Sequence, residues 1–258
     1  MRITSVGRPV FAATFIALGI LGLVKGDITA IWQPVPKHFP AREVLPYFLA
    51  YASVLLGAGL LWRRETGAAA RALFASLLIW MLRFKAPSVF LTSTVVSYES
   101  CGETAVLVAG TWVLYARFAD NWDKKYLPFA VGDKGVYLAR ILYALALIAF
   151  GLSHFAYLKQ TVALVPAWLP SPVTWAYFTG ATYIAAGAAV LIDVYARLAV
   201  ALSALQMGLF TLLVWLPVVA RGANASQWDE LVISWTLTAG AWVVADSFRE
   251  PQGPPVAQ

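Results

Sequence analysis

Eight apolar stretches alternate with short polar segments along the 258-residue chain. Each is 17 to 24 residues long, close to the roughly 20 residues that a helix needs to cross the hydrocarbon core. Such runs are too long for barrel strands, and a helix satisfies its own backbone hydrogen bonds in lipid. The pattern therefore predicts an all-α polytopic membrane protein with eight transmembrane helices, at 9–25, 44–62, 68–84, 100–118, 139–157, 173–192, 196–219 and 230–247.

The two halves of the chain are related by a duplication. Residues 35–118 align without a gap to 165–248, and 18 of these 84 positions are identical, against roughly one in twelve by chance. Each repeat crosses the membrane four times, an even number, so both repeats begin on the same side. We therefore expect two parallel four-helix repeats with a pseudo-twofold axis along the membrane normal. The predicted division is a first repeat at 1–118, a polar linker at 119–136, a second repeat at 137–248 and a disordered tail at 249–258.

Composition and charge point to the same class of protein. Hydrophobic residues make up 60% of the chain, charged residues make up 12%, and the mean hydropathy is +0.72, too few charges for a water-facing shell. With the N-terminus in the cytoplasm, 12 Lys and Arg residues lie on the cytoplasmic side and 7 on the other. This excess predicts a multi-pass protein of the inner (plasma) membrane with both termini cytoplasmic. The net charge of +6 then reflects topology and contact with anionic headgroups, not nucleic-acid binding.

A motif in the second half carries a resemblance to a known family. Gly151 and His154 close the fifth stretch, and a loop with three prolines follows, containing Val165-Pro-Ala-Trp168-Leu-Pro. This pattern resembles the DoxX-like membrane proteins, including DoxD-type subunits associated with thiosulfate:quinone oxidoreductase. The resemblance implies a four-helix unit for each repeat and a role in a redox system that uses quinone. The first repeat departs from the motif, because Lys25 stands for His154 and His38 for Trp168.

His154 and Trp168 each have a structural and a functional interpretation. A histidine at a helix end can cap backbone carbonyls at the membrane interface, or it can be a proton donor or hydrogen-bond partner to a quinone-like headgroup. Trp168 lies where an aromatic belt is expected and is also a candidate ligand-binding residue. His38 is the only other histidine, so a histidine-ligated haem or zinc site has little support, and we predict no metal.

The most unusual charges lie in the first repeat. Arg83 and Lys85 close the third stretch, whereas Glu99 and Glu103 open the fourth on one helical face. The second repeat has Leu213, Trp215 and Ile233 in place of Arg83, Lys85 and Glu103, and Asp229 in place of Glu99. Charges at membrane depth normally pair or serve function. We expect a direct contact between a base and an acid of this set, either as a structural clamp or as a ligand site that also includes His154.

Three classes of function compete. The first is a quinone-interacting membrane subunit of an oxidoreductase system, supported by the resemblance and by the charged set. The second is a non-catalytic accessory or assembly subunit that binds other membrane protein subunits, supported by the short loops and the lack of cofactor motifs. The third is a small-molecule transporter, for which duplicated units are common. Cys101 is the sole cysteine, so no disulfide or CxxC redox pair forms within one chain.

Overall fold

The computed structural model describes residues 6–35, 39–92, 94–222 and 224–249, without the side chains of residues 95 and 96. His38 and most of the predicted tail lie outside these ranges. The described residues form ten helices and one short 3-10 turn, which confirms the all-α prediction. The helices are α1 (Gly7–Lys25), α2 (Leu45–Leu61), α3 (Thr66–Thr92), α4 (Val95–Phe118), α5 (Asn121–Tyr126), α6 (Gly132–Ala156), α7 (Leu158–Leu164), α8 (Pro172–Leu191), α9 (Ala196–Ala220) and α10 (Ala225–Asp246).

Every predicted apolar stretch is helical, but the number of spans needs correction. Among the described residues, four helices rather than eight are long and apolar enough to cross a membrane, namely α1, α3, α6 and α9. Helix α2 is apolar but only 17 residues long. Helices α4 and α10 each carry two acids near their start, and α8 contains three threonines, which lowers their hydropathy. Length and composition therefore identify the first and third apolar stretches of each repeat as candidate spans.

Helix bounds recur at the spacing of the sequence repeat. Helix α3 contains a π-helical segment at Met81–Lys85, and α9 contains one at Thr211–Trp215, 130 residues later. Thr94 caps α4 and Asn224 caps α10, each accepting a hydrogen bond from the backbone N–H three residues on. Such side-chain acceptors satisfy helix N-termini that lack intrahelical partners. The wide turn is thus at the same place in both halves.

The packing order also recurs. Helix α1 packs on α2 and α3 on α4, just as α6 packs on α8 and α9 on α10. The fourth helix of each half reaches the other half, because α4 packs on α6 and α10 packs on α1. Helices α4 and α10 cross each other where a Cβ on Gly110 would lie 3.1 Å from the Gly240 carbonyl oxygen. Gly110 and Gly240 are equivalent in the repeat, and contact between equivalent residues is what a twofold rotation produces.

The predicted polar linker is partly helical. It contains α5, and α6 begins at Gly132 instead of the predicted 139, with Asp133 in its first turn, where an acid stabilises the helix dipole. Asp123 of α5 is 1% exposed and accepts hydrogen bonds from Arg71 at 3.0 Å and from the Tyr115 hydroxyl at 2.9 Å. This cluster ties the linker to α3 and α4.

Candidate functional site

The segment between α1 and α2 folds back into the helix bundle. Gly26 ends α1 with a φ of 64°, a left-handed conformation that favours glycine. Residues 28–32, which we call the plug, follow in a compact turn. All of them except Thr29 are buried hydrophobic residues of the protein core. The Gln33 side-chain amide donates to the Ile28 carbonyl at 3.0 Å and closes the turn. The plug packs against α10, and its Trp32 ring lies edge-on to Trp80 of α3.

The π-helical segment of α3 places Lys85 in the interior. Lys85 is 4% exposed, and its Nζ donates to the Ser100 Oγ of α4 at 2.5 Å. One extra residue in a helical turn shifts the direction of the side chains that follow, and such turns are frequent at functional sites. Arg83 of the same segment is exposed, with its guanidinium 5.5 Å from the Phe84 ring centre. The two basic residues therefore have different surroundings.

Lys85 and Glu103 line one cavity between the two halves of the chain. Thr104 lies beside them on α4, Thr236 lies opposite on α10, and the plug closes one side through Ile31. The cavity has a volume of about 10 Å³, which is room for about one water molecule. Ser100 and Glu103 are three residues apart and share a face of α4. The cavity thus brings an ammonium, a carboxyl group and hydroxyls together in an apolar bundle.

The cavity is asymmetric about the contact between α4 and α10. Leu107 and Leu237 are equivalent in the repeat, and both line it. Glu103 and Ile233 are also equivalent and both line it. One half therefore supplies an ionisable carboxyl group at a position where the other supplies an apolar wall.

The sequence predicted a direct contact between Arg83 or Lys85 and Glu99 or Glu103, and this prediction is wrong. The ion pairs of the described residues join Arg71 to Asp120 and Asp123, and Arg249 to Asp246. Lys85 instead donates to Ser100, one turn before Glu103, because its turn of α3 faces that level of α4. Glu99 is half-buried on α4 and does not line the cavity, and neither does the exposed Arg83.

His154 and Trp168 lie apart from the cavity, in the second half of the chain. The His154 Nδ1 lies 2.8 Å from the Phe150 carbonyl oxygen, one turn back on α6. Its ring stacks on Phe210 of α9, with 5.9 Å between ring centres, and meets Tyr183 of α8 edge-on. Trp168 is 69% exposed in the loop before α8. The expectation that His154 edges the same cavity as Glu103 is therefore wrong, because His154 faces the interior of its own repeat.

The second half has a polar interior that sequence reasoning missed. The Tyr143 hydroxyl lies 2.9 Å from the Ser203 Oγ, and the Thr211 hydroxyl lies 2.8 Å from the Ser234 Oγ. The Thr182 hydroxyl donates to the Gln206 side-chain oxygen at 2.8 Å. Isolated hydroxyl residues in apolar helices carry no pairing signal, since only tertiary packing decides which of them meet.

The cavity of Lys85 and Glu103 is the arrangement best suited to ligand binding or proton transfer. An ammonium can donate to a carbonyl or water oxygen, and a nearby carboxyl group can take up or release a proton. A site with room for one oxygen atom beside these two groups can hold a carbonyl oxygen or a water molecule.

No family model matches the chain, and no curated protein or solved structure is significantly similar to it.

Proposed function

We propose that the protein is a quinone-interacting membrane subunit of a redox system, as its resemblance to DoxX-like proteins implies. The observation that carries this proposal is the placement of Lys85 and Glu103 on one cavity inside an apolar helix bundle. Ionisable side chains inside membrane helices are costly and usually pair or serve a function. We infer that a ligand or a transferred proton requires the ionisable pair at this cavity.

The size of the cavity limits how a quinone can bind. Quinones carry two electrons and two protons between membrane enzymes. The cavity has room for one oxygen atom but not for a ring, so the Lys85 ammonium would bind one carbonyl oxygen while the quinone ring would lie outside the cavity. Glu103 would hold a proton beside that oxygen. The apolar walls, which include Leu107 and Leu237, would exclude bulk water.

We also propose that all eight helices of the two repeats lie in the membrane, with both termini and α5 in the cytoplasm. The recurring helix bounds and packing order support a parallel repeat. In this arrangement α2, α4, α8 and α10 cross the membrane while packed against the four more apolar helices. Reporter fusions test this topology. Fusions at Arg64 and Lys124 should report the cytoplasm, and a fusion at Lys159 should report the opposite side. Arg64 lies between α2 and α3, so it would report the side opposite to Lys124 if only α1, α3, α6 and α9 crossed, and that result would refute the eight-span arrangement.

The binding experiment uses the full chain in detergent micelles. Decylubiquinone is titrated into the native chain and into Glu103→Gln, which keeps the side-chain shape but removes the proton exchange. We expect weaker binding in Glu103→Gln and unchanged binding in Arg83→Gln, a matched control on the exposed side of the same helix. His154→Ala should also bind normally, because His154 does not line the cavity. Equal affinity in all four proteins would contradict a quinone site at Glu103.

A second candidate is a non-catalytic accessory subunit of a larger membrane complex. The observation that favours it is the exposed apolar surface at the end of α3, where Phe90 is 82% and Leu91 is 83% exposed. Lipid or another membrane subunit can cover such a surface. Native purification in mild detergent separates the two candidates. Stoichiometric co-purifying chains that are lost in a Phe90→Ser variant, in a preparation without extractable quinone, would favour the accessory role.

A further inference from the structure

An open pocket lies in the second repeat, between the start of α9 and the residues that follow α10. Its volume is about 450 Å³, which is in the range of small-molecule sites. Arg197 and Ala201 of α9 line it on one side and Phe248 lines it on another. Helix α9 is a candidate span, so its first turn lies near the level of the lipid headgroups. The pocket is therefore placed at the surface of the bilayer.

In the first repeat, close packing of α3 on the end of α4 takes up the corresponding space. Gly67 is the counterpart of Arg197, and Phe118 is the counterpart of Phe248. A Cβ added to Gly67 would collide with the Phe118 carbonyl oxygen. An arginine cannot approach the chain so closely, so the second repeat keeps a gap between Arg197 and Phe248.

The linker covers the next turn of α3 in the first repeat. Arg71 of α3 pairs there with Asp120 and Asp123, at 3.5 Å and 3.0 Å. Its counterpart is Ala201, which lines the pocket. Arg197 lies four residues before Ala201 and thus on the same helical face. The pocket therefore corresponds to a place where the first repeat binds carboxylates, and it has its own arginine one turn away.

The pocket offers several donors to an anion. The Arg197 guanidinium is exposed, and its planar fork suits phosphate oxygens. The start of α9 adds backbone N–H groups, because Tyr195 before it makes no side-chain cap bond within the described part of the chain. Asp193 also lines the pocket, but its charge is attracted by that of Arg140, whose guanidinium lies 3.7 Å from the Phe248 ring centre. Two guanidinium groups against one carboxylate leave a net positive charge.

The loop before α9 has a backbone conformation of its own. The angle φ is 56° at Asp193 and 51° at Tyr195, in the left-handed region that residues other than glycine rarely adopt. Glu65, the counterpart of Tyr195, has a φ of −99°. Left-handed backbone at such residues is often found at ligand sites. This loop therefore distinguishes the pocket from the equivalent part of the first repeat.

We propose that the pocket binds the headgroup of an anionic phospholipid, with its phosphate on Arg197 and the start of α9. Tyr195 is 80% exposed and Leu198 is 56% exposed, so both can contact the glycerol backbone and the acyl chains. In the proposed topology the site faces the cytoplasmic leaflet, where anionic lipids attract basic residues. The inference goes beyond the quinone site, because the pocket and the Lys85 cavity have different lining residues.

The test measures lipid binding to the full chain in detergent micelles by native mass spectrometry. Dimyristoylphosphatidylglycerol and dimyristoylphosphatidylcholine have the same acyl chains but differ in headgroup charge. We expect the native chain to bind the phosphatidylglycerol more tightly. Arg197→Gln should raise its Kd about fivefold, the effect of one basic residue near an anionic headgroup. Arg63→Gln is the matched control, because Arg63 is exposed in the corresponding loop of the first repeat, and its Kd should be unchanged.

A second variant separates the shape of the pocket from its charge. Ala201→Trp keeps every charge but places an indole in the space beside Arg197. We expect the affinity for phosphatidylglycerol to fall as in Arg197→Gln. The Tm without added lipid should stay near the native value, because Ala201 is exposed. Should Ala201→Trp fail to fold, Leu198→Trp fills the same pocket from another exposed position.

Four outcomes overturn the inference. Equal affinity of the native chain for both lipids would mean that the pocket does not select an anionic headgroup. An equal loss in Arg63→Gln and Arg197→Gln would mean that only general surface charge attracts the lipid. Unchanged affinity in a folded pocket-filling variant would place the headgroup elsewhere. Glycerol phosphate has the same phosphate chemistry without acyl chains, and competition by it at the concentration of the lipid would assign the pocket to a soluble phosphate ester.

Discussion

Replacing Asp123 by alanine should destabilise the protein substantially, because three polar groups depend on its carboxylate. Arg71 and Tyr115 donate to one carboxylate oxygen, and the Asp120 N–H donates to the other at 3.2 Å. In Asp123→Ala the Tyr115 hydroxyl, in a side chain only 1% exposed, loses the carboxylate oxygen to which it donates. We therefore expect a fall in stability even though Asp123 lies in the linker between the repeats.

The size of this effect follows from the exposure of each partner. An unsatisfied Tyr115 hydroxyl costs about 1–3 kcal/mol. The Arg71 side chain is 38% exposed and also pairs with Asp120, so loss of the Arg71–Asp123 ion pair adds only about 0.5–1 kcal/mol. The sum of about 2–4 kcal/mol corresponds to a fall in Tm on the order of 10 °C for a domain of this size. Glu65→Ala is the control, because Glu65 is exposed, precedes α3 and makes no side-chain cap bond; its Tm should stay within the scatter of surface variants.

Thermal unfolding in detergent micelles, followed by intrinsic fluorescence, measures both variants. A double-mutant cycle with Tyr115→Phe makes the reasoning testable at the level of one hydrogen bond. In the native background Tyr115→Phe should cost about 1 kcal/mol. In the Asp123→Ala background it should restore stability, because it removes the orphaned hydroxyl. If Tyr115→Phe has the same effect in both backgrounds, the two groups are not coupled and the reasoning is refuted.

The same carboxylate predicts a pH dependence. Burial raises the pKa of Asp123, but the hydrogen bonds from Arg71 and Tyr115 outweigh it, so the pKa lies below its ordinary value of 3.8. A lowered pKa in the folded state stabilises the protein above the unfolded pKa, and this contribution is lost as pH falls through the folded value. The Tm difference between the native chain and Asp123→Ala should be constant above about pH 5 and shrink below pH 3.8. A difference that grows with acid would contradict this sign.

Two further predictions test the packing. A Cβ at position 110 would lie 3.1 Å from the Gly240 carbonyl oxygen, whereas one at position 240 meets nothing nearer than 3.4 Å. Gly110→Ala should therefore lower Tm, because an overpacking cost of about 1–3 kcal/mol exceeds the gain in helix propensity of about 1 kcal/mol. Gly240→Ala should not lower Tm. Equal effects at these equivalent positions would show that the close crossing is not tight. Tyr143→Phe should cost about 1 kcal/mol, because Ser203 keeps its bond to a backbone carbonyl; no change in Tm would mean that the buried hydroxyl pair contributes nothing.

The sequence by itself determined the helices and the repeat. Each of the eight apolar stretches is helical, because a helix satisfies all of its backbone hydrogen bonds within the segment. The duplication shows directly in paired residues such as Gly110 and Gly240. Only four of the eight predicted spans are long and apolar enough to cross a membrane, because α2 has 17 residues and α4, α8 and α10 carry acids or threonines that lower their hydropathy.

Only the tertiary structure decided which polar groups meet. The sequence placed Lys85, Glu103 and His154 near the same level of the membrane, but a helical repeat gives depth along its axis and not the direction in which a side chain faces its neighbours. The π-helical turn of α3 directs Lys85 to Ser100 and to the cavity of Glu103, while His154 packs inside the second repeat. The plug and its paired tryptophans arise from a fold-back of the chain between two helices, and such long-range contacts leave no periodic trace in the sequence.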